Sequence, residues 1–197
     1  MTPVAATSLD QIVTIVSGLP RSGTSMMMKM LEAGGLTALI DNIRVADEDN
    51  PGGYYEFEAV KQTRQDASWL KDAKGKVVKM VYRLLYDLPK GYEYRVVFMR
   101  RNLDEVLASQ KVMLNRHGKD DGAIKDEQMA KMFRSHLAEF MSWIPRQSNF
   151  QMLEVDYNQM LAEPANMVAK INEFLGGSLN ADAMAGVVDP KLYRNRK

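Results

Sequence analysis

The amino-acid sequence predicts an α/β protein with a P-loop-like central parallel sheet and helices on both faces of that sheet. Short runs of β-branched and apolar residues alternate with longer segments whose apolar residues recur at helical spacing. Chains that alternate in this way form βαβ units, in which consecutive strands run parallel. The predicted strands are Ile12–Gly18, Lys76–Val81, Tyr94–Met99 and Phe150–Val155, and the predicted helices are Thr24–Glu32, Glu56–Leu70, Asn102–Asn115, Asp126–Ile144 and Pro164–Leu175.

The ends of these segments carry residues that begin or end regular structure. The first strand is β-branched and ends at a glycine, as a buried strand does. Asn102 and Glu105 have the spacing of a capping box at the start of their helix. Helix-ending residues follow three of the helices: Gly34 with Gly35, then Pro145, then Gly176 with Gly177.

Length and composition exclude several classes of protein. The 197 residues predict one domain over residues 1–197, of which residues 1–10 form a flexible tail. The absence of cysteine excludes disulfides and thiolate sites, and two histidines are too few for a multi-histidine metal centre. A net charge of +1 argues against a broad nucleic-acid-binding face. No apolar run approaches the ~20 residues that span a membrane, so we expect a cytoplasmic protein.

The segment from Gly18 to Ser25, between the first strand and the first helix, has the features of a phosphate-binding loop. Its Gly18-x4-Gly23 spacing matches the nucleotide P-loop, but Thr24 and Ser25 replace the usual lysine and hydroxyl residue. Without that lysine, a ligand with one phosphate and a short additional anionic group is favoured over a triphosphate. The predicted anion contacts come from Arg21, Ser22, Gly23, Thr24 and Ser25. The alternative is an ordinary strand-to-helix turn with an exposed arginine.

This loop resembles the 5′-phosphosulfate-binding loop of sulfotransferases that use 3′-phosphoadenosine 5′-phosphosulfate (PAPS). Three later segments resemble the same family in the same order: Lys76–Pro89, Arg100–Gln110 and Met152–Gly176. The resemblance implies transfer of a sulfuryl group from PAPS to a hydroxyl or amine of a small molecule or biomolecule. The product is then 3′-phosphoadenosine 5′-phosphate (PAP), and no metal is required.

The resemblance also implies roles for three later residues. Arg101 and Ser109 would hold the 3′-phosphate, and Lys79 would contact the phosphosulfate. For Ser109, the alternative is a small residue that allows close helix packing. For Lys79, the alternative is an ion pair with a buried carboxylate, since a lysine within an apolar strand is costly to bury alone.

Catalysis of this reaction needs cations and a general base. Arg21 and Lys79 are the predicted cations for the departing phosphate oxygen, and both therefore count as catalytic candidates. Cytosolic members of the family have a histidine two residues after the strand lysine, where this chain has Val81. Other branches use a glutamate after the first helix, which makes Glu56 the first candidate base and Glu58 the second. Both glutamates could instead be charges in the first turn of a helix.

Two other functions compete with this prediction. A Mg²⁺-dependent P-loop nucleotide kinase or hydrolase would need a strand that ends in aspartate, whereas the third strand ends in Met99, Arg100 and Arg101. A non-catalytic PAPS- or nucleotide-binding domain is compatible with the missing histidine. Because many members of the resembled family are longer, a homodimer is one expected way to complete the acceptor side.

Overall fold

The computed structural model describes residues 8–41, 43, 53–116 and 126–188. The described residues form a five-stranded sheet in the order β2-β3-β1-β4-β5, and every neighbouring pair is parallel. The predicted α/β fold is therefore confirmed. The strands are β1 (Val13–Gly18), β2 (Thr37–Ala38), β3 (Lys76–Lys79), β4 (Tyr94–Arg100) and β5 (Phe150–Asp156).

Helices connect the strands and cover both faces of the sheet. The α-helices are α1 (Thr24–Ala33), α2 (Leu70–Ala73), α3 (Leu103–Arg116), α4 (Asp126–Trp143), α5 (Tyr157–Ala162), α6 (Pro164–Phe174) and α7 (Ala181–Ala185). Short 3-10 helices occur at Leu9–Gln11, Glu58–Gln62, Tyr82–Asp87 and Ile144–Arg146. None of the helices among the described residues is long and apolar enough to cross a bilayer.

The buried apolar side chains form two layers, one on each face of the sheet. Because alternate residues of a strand point to opposite faces, Ile15 packs into one layer and its neighbour Val16 into the other. The first layer holds apolar residues of α2, α3 and α4: Leu70, Ala73, Val106, Leu107, Ala130, Phe133 and Phe140. The second layer holds those of α1, α6 and α7: Met27, Met28, Met30, Leu31, Met167, Val168, Ile171 and Met184.

Strand register brings the predicted ligand-binding residues to one edge of the sheet. In β3, Lys79 lies opposite Val16, two residues before the end of β1. In β4, Met99 lies opposite Gly18, so β4 ends one residue beyond the end of β1. The carboxyl ends of the three central strands therefore meet where the loop before α1 begins, which is where open α/β sheets bind ligands.

The prediction of a continuous helix over Glu56–Leu70 is wrong. The structure has the 3-10 helix Glu58–Gln62, a series of turns, and then α2. Polar side chains in this segment bond to nearby backbone and so compete with helical hydrogen bonds. Thr63 donates its hydroxyl proton to Val60 O at 2.7 Å, and Asp66 Oδ1 accepts from Ser68 N at 2.9 Å.

Other differences from the predicted elements are smaller. The two-residue strand β2 and the short helices α5 and α7 were not expected, and other boundaries differ by one or two residues. A 3-10 helix at Leu9–Gln11 overlaps the last two residues of the segment predicted to be a flexible tail, 1–10. Three further predictions lie outside the described residues: most of the turn at 49–53, the polar loop at 117–125 and the basic tail at 192–197.

Candidate active site

The loop between β1 and α1 is a tight turn closed by its own buried serine. Ser22 donates both its hydroxyl, at 2.7 Å, and its backbone N–H, at 3.3 Å, to the carbonyl oxygen of Leu19. Arg21 has a φ of 68°, a left-handed conformation that is costly for a residue with a side chain. The hydroxyl and the backbone N–H of Ser22 therefore both stabilise the turn itself.

Gly23 is the residue that lets α1 begin close to the rest of the site. Its φ is 96°, and a Cβ added there would lie 2.4 Å from Cδ2 of Tyr157. The first N–H groups of a helix have no partner within it, so α1 directs donors and the positive end of its dipole toward the loop. Only glycine combines this backbone conformation with the close packing of the Tyr157 ring.

Substitution of Gly23 by alanine is expected to destabilise the protein by about 1–3 kcal/mol, because it adds a clash and a strained φ. At about 2–4 °C per kcal/mol for a chain of this size, the melting temperature should fall by several degrees. Gly91→Ala is the matched control, because a Cβ there meets nothing within 4 Å. Equal melting temperatures for the two variants would show that the loop tolerates a side chain at Gly23.

Arg101 lies against the loop between β1 and α1, just after the end of β4. Its Nη1 donates to the carbonyl oxygen of Arg21 at 3.1 Å, and its Nε donates to Glu105 Oε2 at 2.9 Å. Its Cζ lies 4.6 Å from the centre of the Tyr157 ring, which is within cation–π distance. Burial raises the pKa of the Tyr157 phenol, while the charge of Arg101 acts to lower it.

Residues predicted to bind the two opposite ends of PAPS contact each other. Arg21 Nε donates to Ser109 Oγ at 3.0 Å, although the two residues are 88 positions apart in the chain. Ser109 is 4% exposed. Arg100, by contrast, forms an ion pair with the exposed Glu154 at 3.3 Å. The structure therefore brings Arg21, Arg101 and Ser109 together and turns Arg100 elsewhere.

Lys79 contacts the segment that carries the candidate bases. Its Nζ donates to the carbonyl oxygen of Tyr54 and lies 4.0 Å from Glu56 Oε1. The same carbonyl oxygen accepts from Ser25 Oγ at 3.4 Å. Tyr54 thus joins the strand lysine to the first turn of α1, and Lys79 lies beside both the loop and a carboxylate.

The two candidate bases have different surroundings. Besides the contacts of Tyr54, the hydrogen bonds that attach this segment to the rest of the fold include Asp41 N to Glu56 O at 3.2 Å, Glu58 N to Asp41 Oδ2 at 2.5 Å, and Tyr55 Oη to Glu32 Oε2 at 2.6 Å. With this attachment the Glu56 carboxylate lies near Lys79. The Glu58 carboxylate is 43% exposed and pairs with Lys61 at 2.6 Å. The geometry therefore favours Glu56.

Four groups in this site were not predicted from the sequence. They are the ring of Tyr157, the carboxylate of Glu105, the amide of Asn158 and the carbonyl oxygen of Tyr54. The spacing of Glu105 four residues after Arg101 was a usable signal, because such pairs contact each other along a helix. Asn102 Oδ1 accepts from Asp104 N at 2.9 Å, as a helix-capping side chain does, whereas the Glu105 carboxylate contacts Arg101 and Asn158.

The strand ends do not have the pattern of a Mg²⁺-nucleotide site. The two neighbours of β1 are β3 and β4, which end in Lys79 and Arg100. Asp156 does end a strand, but β5 is separated from β1 by β4, and its carboxylate caps α5 by accepting from Gln159 N at 2.8 Å. Within the described ranges, no cluster of three or more His, Asp or Glu residues is arranged to hold a metal ion.

Comparison with known proteins decides the family. The family model described as "Sulfotransferase domain" matches residues 11–195, nearly the whole chain. The chain belongs to the sulfotransferase domain family. A search of the curated proteins found no match.

Solved structures of sulfotransferase domains share the fold of this one. The sulfotransferase domain from the Synechococcus PCC 7002 olefin synthase aligns with a TM-score of 0.53 at 13% identity, covering 93% of this chain and 82% of that one. The domain from the curacin biosynthetic pathway aligns with a TM-score of 0.52 at 14% identity, covering 91% and 78%. Retinol dehydratase, in complex with androsterone and the inactive cofactor PAP, aligns with a TM-score of 0.50 at 17% identity, covering 91% and 63%. At these identities the likeness concerns the fold of this sulfotransferase domain.

Proposed function

We propose that this sulfotransferase domain transfers a sulfuryl group from PAPS to a hydroxyl or amine of an acceptor. The observation that carries the proposal is the contact of Arg21 with Ser109, together with that of Arg101 with the loop. These contacts join the segment expected to bind the 5′-phosphosulfate to the segment expected to bind the 3′-phosphate. A donor with anionic groups at both its 5′ and 3′ ends fits such a pair of adjoining sites.

Different residues of the chain bind the 5′-phosphosulfate and the 3′-phosphate of this donor. The amides of the loop and of the first turn of α1 receive the 5′-phosphosulfate, since helix N-termini bind anions. Arg101 and Ser109 receive the 3′-phosphate, for which a planar guanidinium is well suited. The Tyr157 ring supports the guanidinium of Arg101 from one side.

The transfer step requires stabilisation of charge on the leaving group. The acceptor oxygen or nitrogen forms a bond to sulfur while the bond between sulfur and the phosphate oxygen breaks, which leaves PAP. Lys79 and Arg21 stabilise the negative charge that develops on that oxygen. Glu56, 4.0 Å from Lys79 Nζ, accepts the proton that the acceptor loses. The products are the sulfated acceptor, PAP and a proton held on Glu56.

A thermal-shift experiment tests the class of ligand. PAP, ATP and GTP are each added with and without Mg²⁺. We expect PAP to stabilise the protein without metal, by about 2.7 kcal/mol at a hundred-fold excess over Kd, or about 5–10 °C. If ATP stabilises the protein only with Mg²⁺ and PAP does not stabilise it, the protein is a nucleotide kinase or hydrolase instead.

A second experiment separates an enzyme from a non-catalytic PAPS-binding domain. Sulfate-labelled PAPS is incubated with the protein and a panel of alcohols, phenols and amines. Transfer of label to at least one acceptor is the expected result, and binding of PAP without any transfer across the panel would favour the binding domain.

The proposal that a second copy of the chain completes the acceptor side is tested in the same samples by sedimentation.

A further inference from the structure

Glu105 is a buried carboxylate that the proposed reaction does not use directly. It is 1% exposed, which makes it the most deeply buried acidic or basic residue in the described part of the chain. Burying a carboxylate is unfavourable unless other groups compensate its charge and hydrogen-bonding capacity. The partners that compensate Glu105 therefore indicate what it does.

Each oxygen of the Glu105 carboxylate has a donor from a different part of the site. Oε2 accepts from Arg101 Nε at 2.9 Å, and the Arg101 side chain is only 8% exposed. Oε1 accepts from Asn158 Nδ2 at 3.3 Å. Arg101 follows β4, Glu105 lies in α3 and Asn158 lies in α5, so the carboxylate connects three elements at the sheet edge.

These contacts determine the orientation of the Arg101 guanidinium. Glu105 engages its Nε, the carbonyl oxygen of Arg21 engages its Nη1, and the Tyr157 ring lies against its face. A planar group held at two atoms of its edge and on its face cannot rotate without losing contacts. Buried ion pairs add little net stability, because desolvation offsets most of the attraction. Orientation of Arg101 is therefore the main consequence of the Glu105 contact.

We propose that Glu105 is a positioning residue that makes the donor site selective for nucleotides with a 3′-phosphate. It does so by holding Arg101 in the orientation that receives this phosphate, and Asn158 holds Glu105 in turn. The inference rests on the proposed function and deepens it. It concerns one end of the donor, so it predicts an effect on nucleotides with a 3′-phosphate and none on those without.

Whether Glu105→Gln weakens or strengthens phosphate binding distinguishes a positioning role of Glu105 from a purely electrostatic one. A carboxylate near a phosphate site repels the phosphate, so Glu105→Gln should strengthen binding of the phosphate if charge alone matters. If Glu105 orients Arg101, the same substitution should weaken binding, because the amide pairs less strongly with the guanidinium and releases it. Loss of an outer residue that orients a binding group costs about 10–100-fold at metal sites, and we expect an effect of that order here.

The test is titration calorimetry with PAP and with AMP, which lacks the 3′-phosphate. For Glu105→Gln we expect the Kd of PAP to rise at least about ten-fold and the Kd of AMP to stay within about two-fold. Asp104→Asn is the matched control, since it removes the same charge from an exposed neighbour in α3 and should change neither Kd. Glu105→Asp retains the carboxylate and should recover part of the loss. An unchanged or lowered Kd of PAP in Glu105→Gln, or an equal loss for PAP and AMP, overturns the inference.

Asn158→Ala provides a second measurement that leaves the Glu105–Arg101 pair in place. It should raise the Kd of PAP about three- to ten-fold and leave the Kd of AMP unchanged. If Glu105→Gln does not fold, the result for Asn158→Ala tests the inference instead. If the ratio of the Kd of PAP to the Kd of AMP in Asn158→Ala equals that of the wild-type protein, the inference is overturned. Wild-type protein that binds PAP no better than AMP would instead overturn the proposed function. The two failures are therefore distinguishable.

Discussion

Lys79→Met is expected to lower the turnover of sulfuryl transfer by about 10²–10³-fold, the usual cost of removing one group that stabilises developing charge. Lys79 lies at the end of β3, opposite Val16 of β1, and its Nζ is 4.0 Å from Glu56 Oε1. Methionine preserves much of the side-chain volume and removes the charge. The KM for PAPS should change by less than about ten-fold, because the charge that Lys79 stabilises is largest in the transition state. Steady-state kinetics with labelled PAPS and an active acceptor measure both constants.

Lys76→Met is the matched control for this variant. Lys76 begins the same strand at its amino end, away from the ligand edge, and its loss should leave turnover within about two-fold. The melting temperatures of both variants show whether the fold is intact. If Lys79→Met keeps more than about one tenth of wild-type turnover, Lys79 is the ion-pair partner of Glu56 and has no catalytic role.

Glu56→Gln is expected to lower turnover by about 10²–10⁴-fold, the range for loss of a general base. Glutamine keeps the shape of the side chain but cannot accept the proton of the acceptor. Glu58→Gln is the matched control, because this carboxylate is exposed and pairs with Lys61. An exposed pair of this kind contributes little to stability, so the control should retain its activity and its melting temperature.

The activity of Glu56→Gln with acceptors of different acidity distinguishes two roles for Glu56, that of a general base and that of a residue that only positions Lys79. An acidic phenol loses its proton more readily than an alcohol, so it depends less on a base. The defect of Glu56→Gln should therefore shrink as the acceptor becomes more acidic. A defect of the same size for every acceptor would assign Glu56 to the positioning of Lys79.

Local sequence was enough to predict four of the five strands and the loop between β1 and α1. Runs of β-branched residues such as Ile12–Gly18 leave few backbone conformations other than a strand, and the spacing of Gly18 and Gly23 is that of a loop expected to approach an anion. The helix predicted over Glu56–Leu70 failed for an equally local reason. Thr63, Asp66 and Ser68 form side-chain–backbone hydrogen bonds that helical periodicity does not reveal.

The sequence predicted several residues of the candidate site, but only the fold showed which groups they contact. The loop pattern singled out Arg21, and the resemblance to sulfotransferases singled out Arg101 and Ser109, but no pattern along the chain places Arg21 against a serine 88 residues away. That contact arises because β1 and β4 are neighbours in the sheet, so the residues that follow them meet at its carboxyl edge. Tyr157 was missed for the same reason, since it follows β5, which lies on the far side of β4.

The sequence by itself predicted the fold class and the position of the loop between β1 and α1, because these depend on short-range patterns of hydrophobicity and glycine, and its resemblance to sulfotransferases predicted the family. Only the tertiary structure distinguished the surroundings of Glu56, near Lys79, from those of Glu58, which pairs with Lys61, although the two side chains are two residues apart and chemically identical. It also showed that Glu105, which has the spacing of a helix cap, supports Arg101. In each case the deciding quantity is a distance to a group elsewhere in the fold, and that distance is set by strand order and packing.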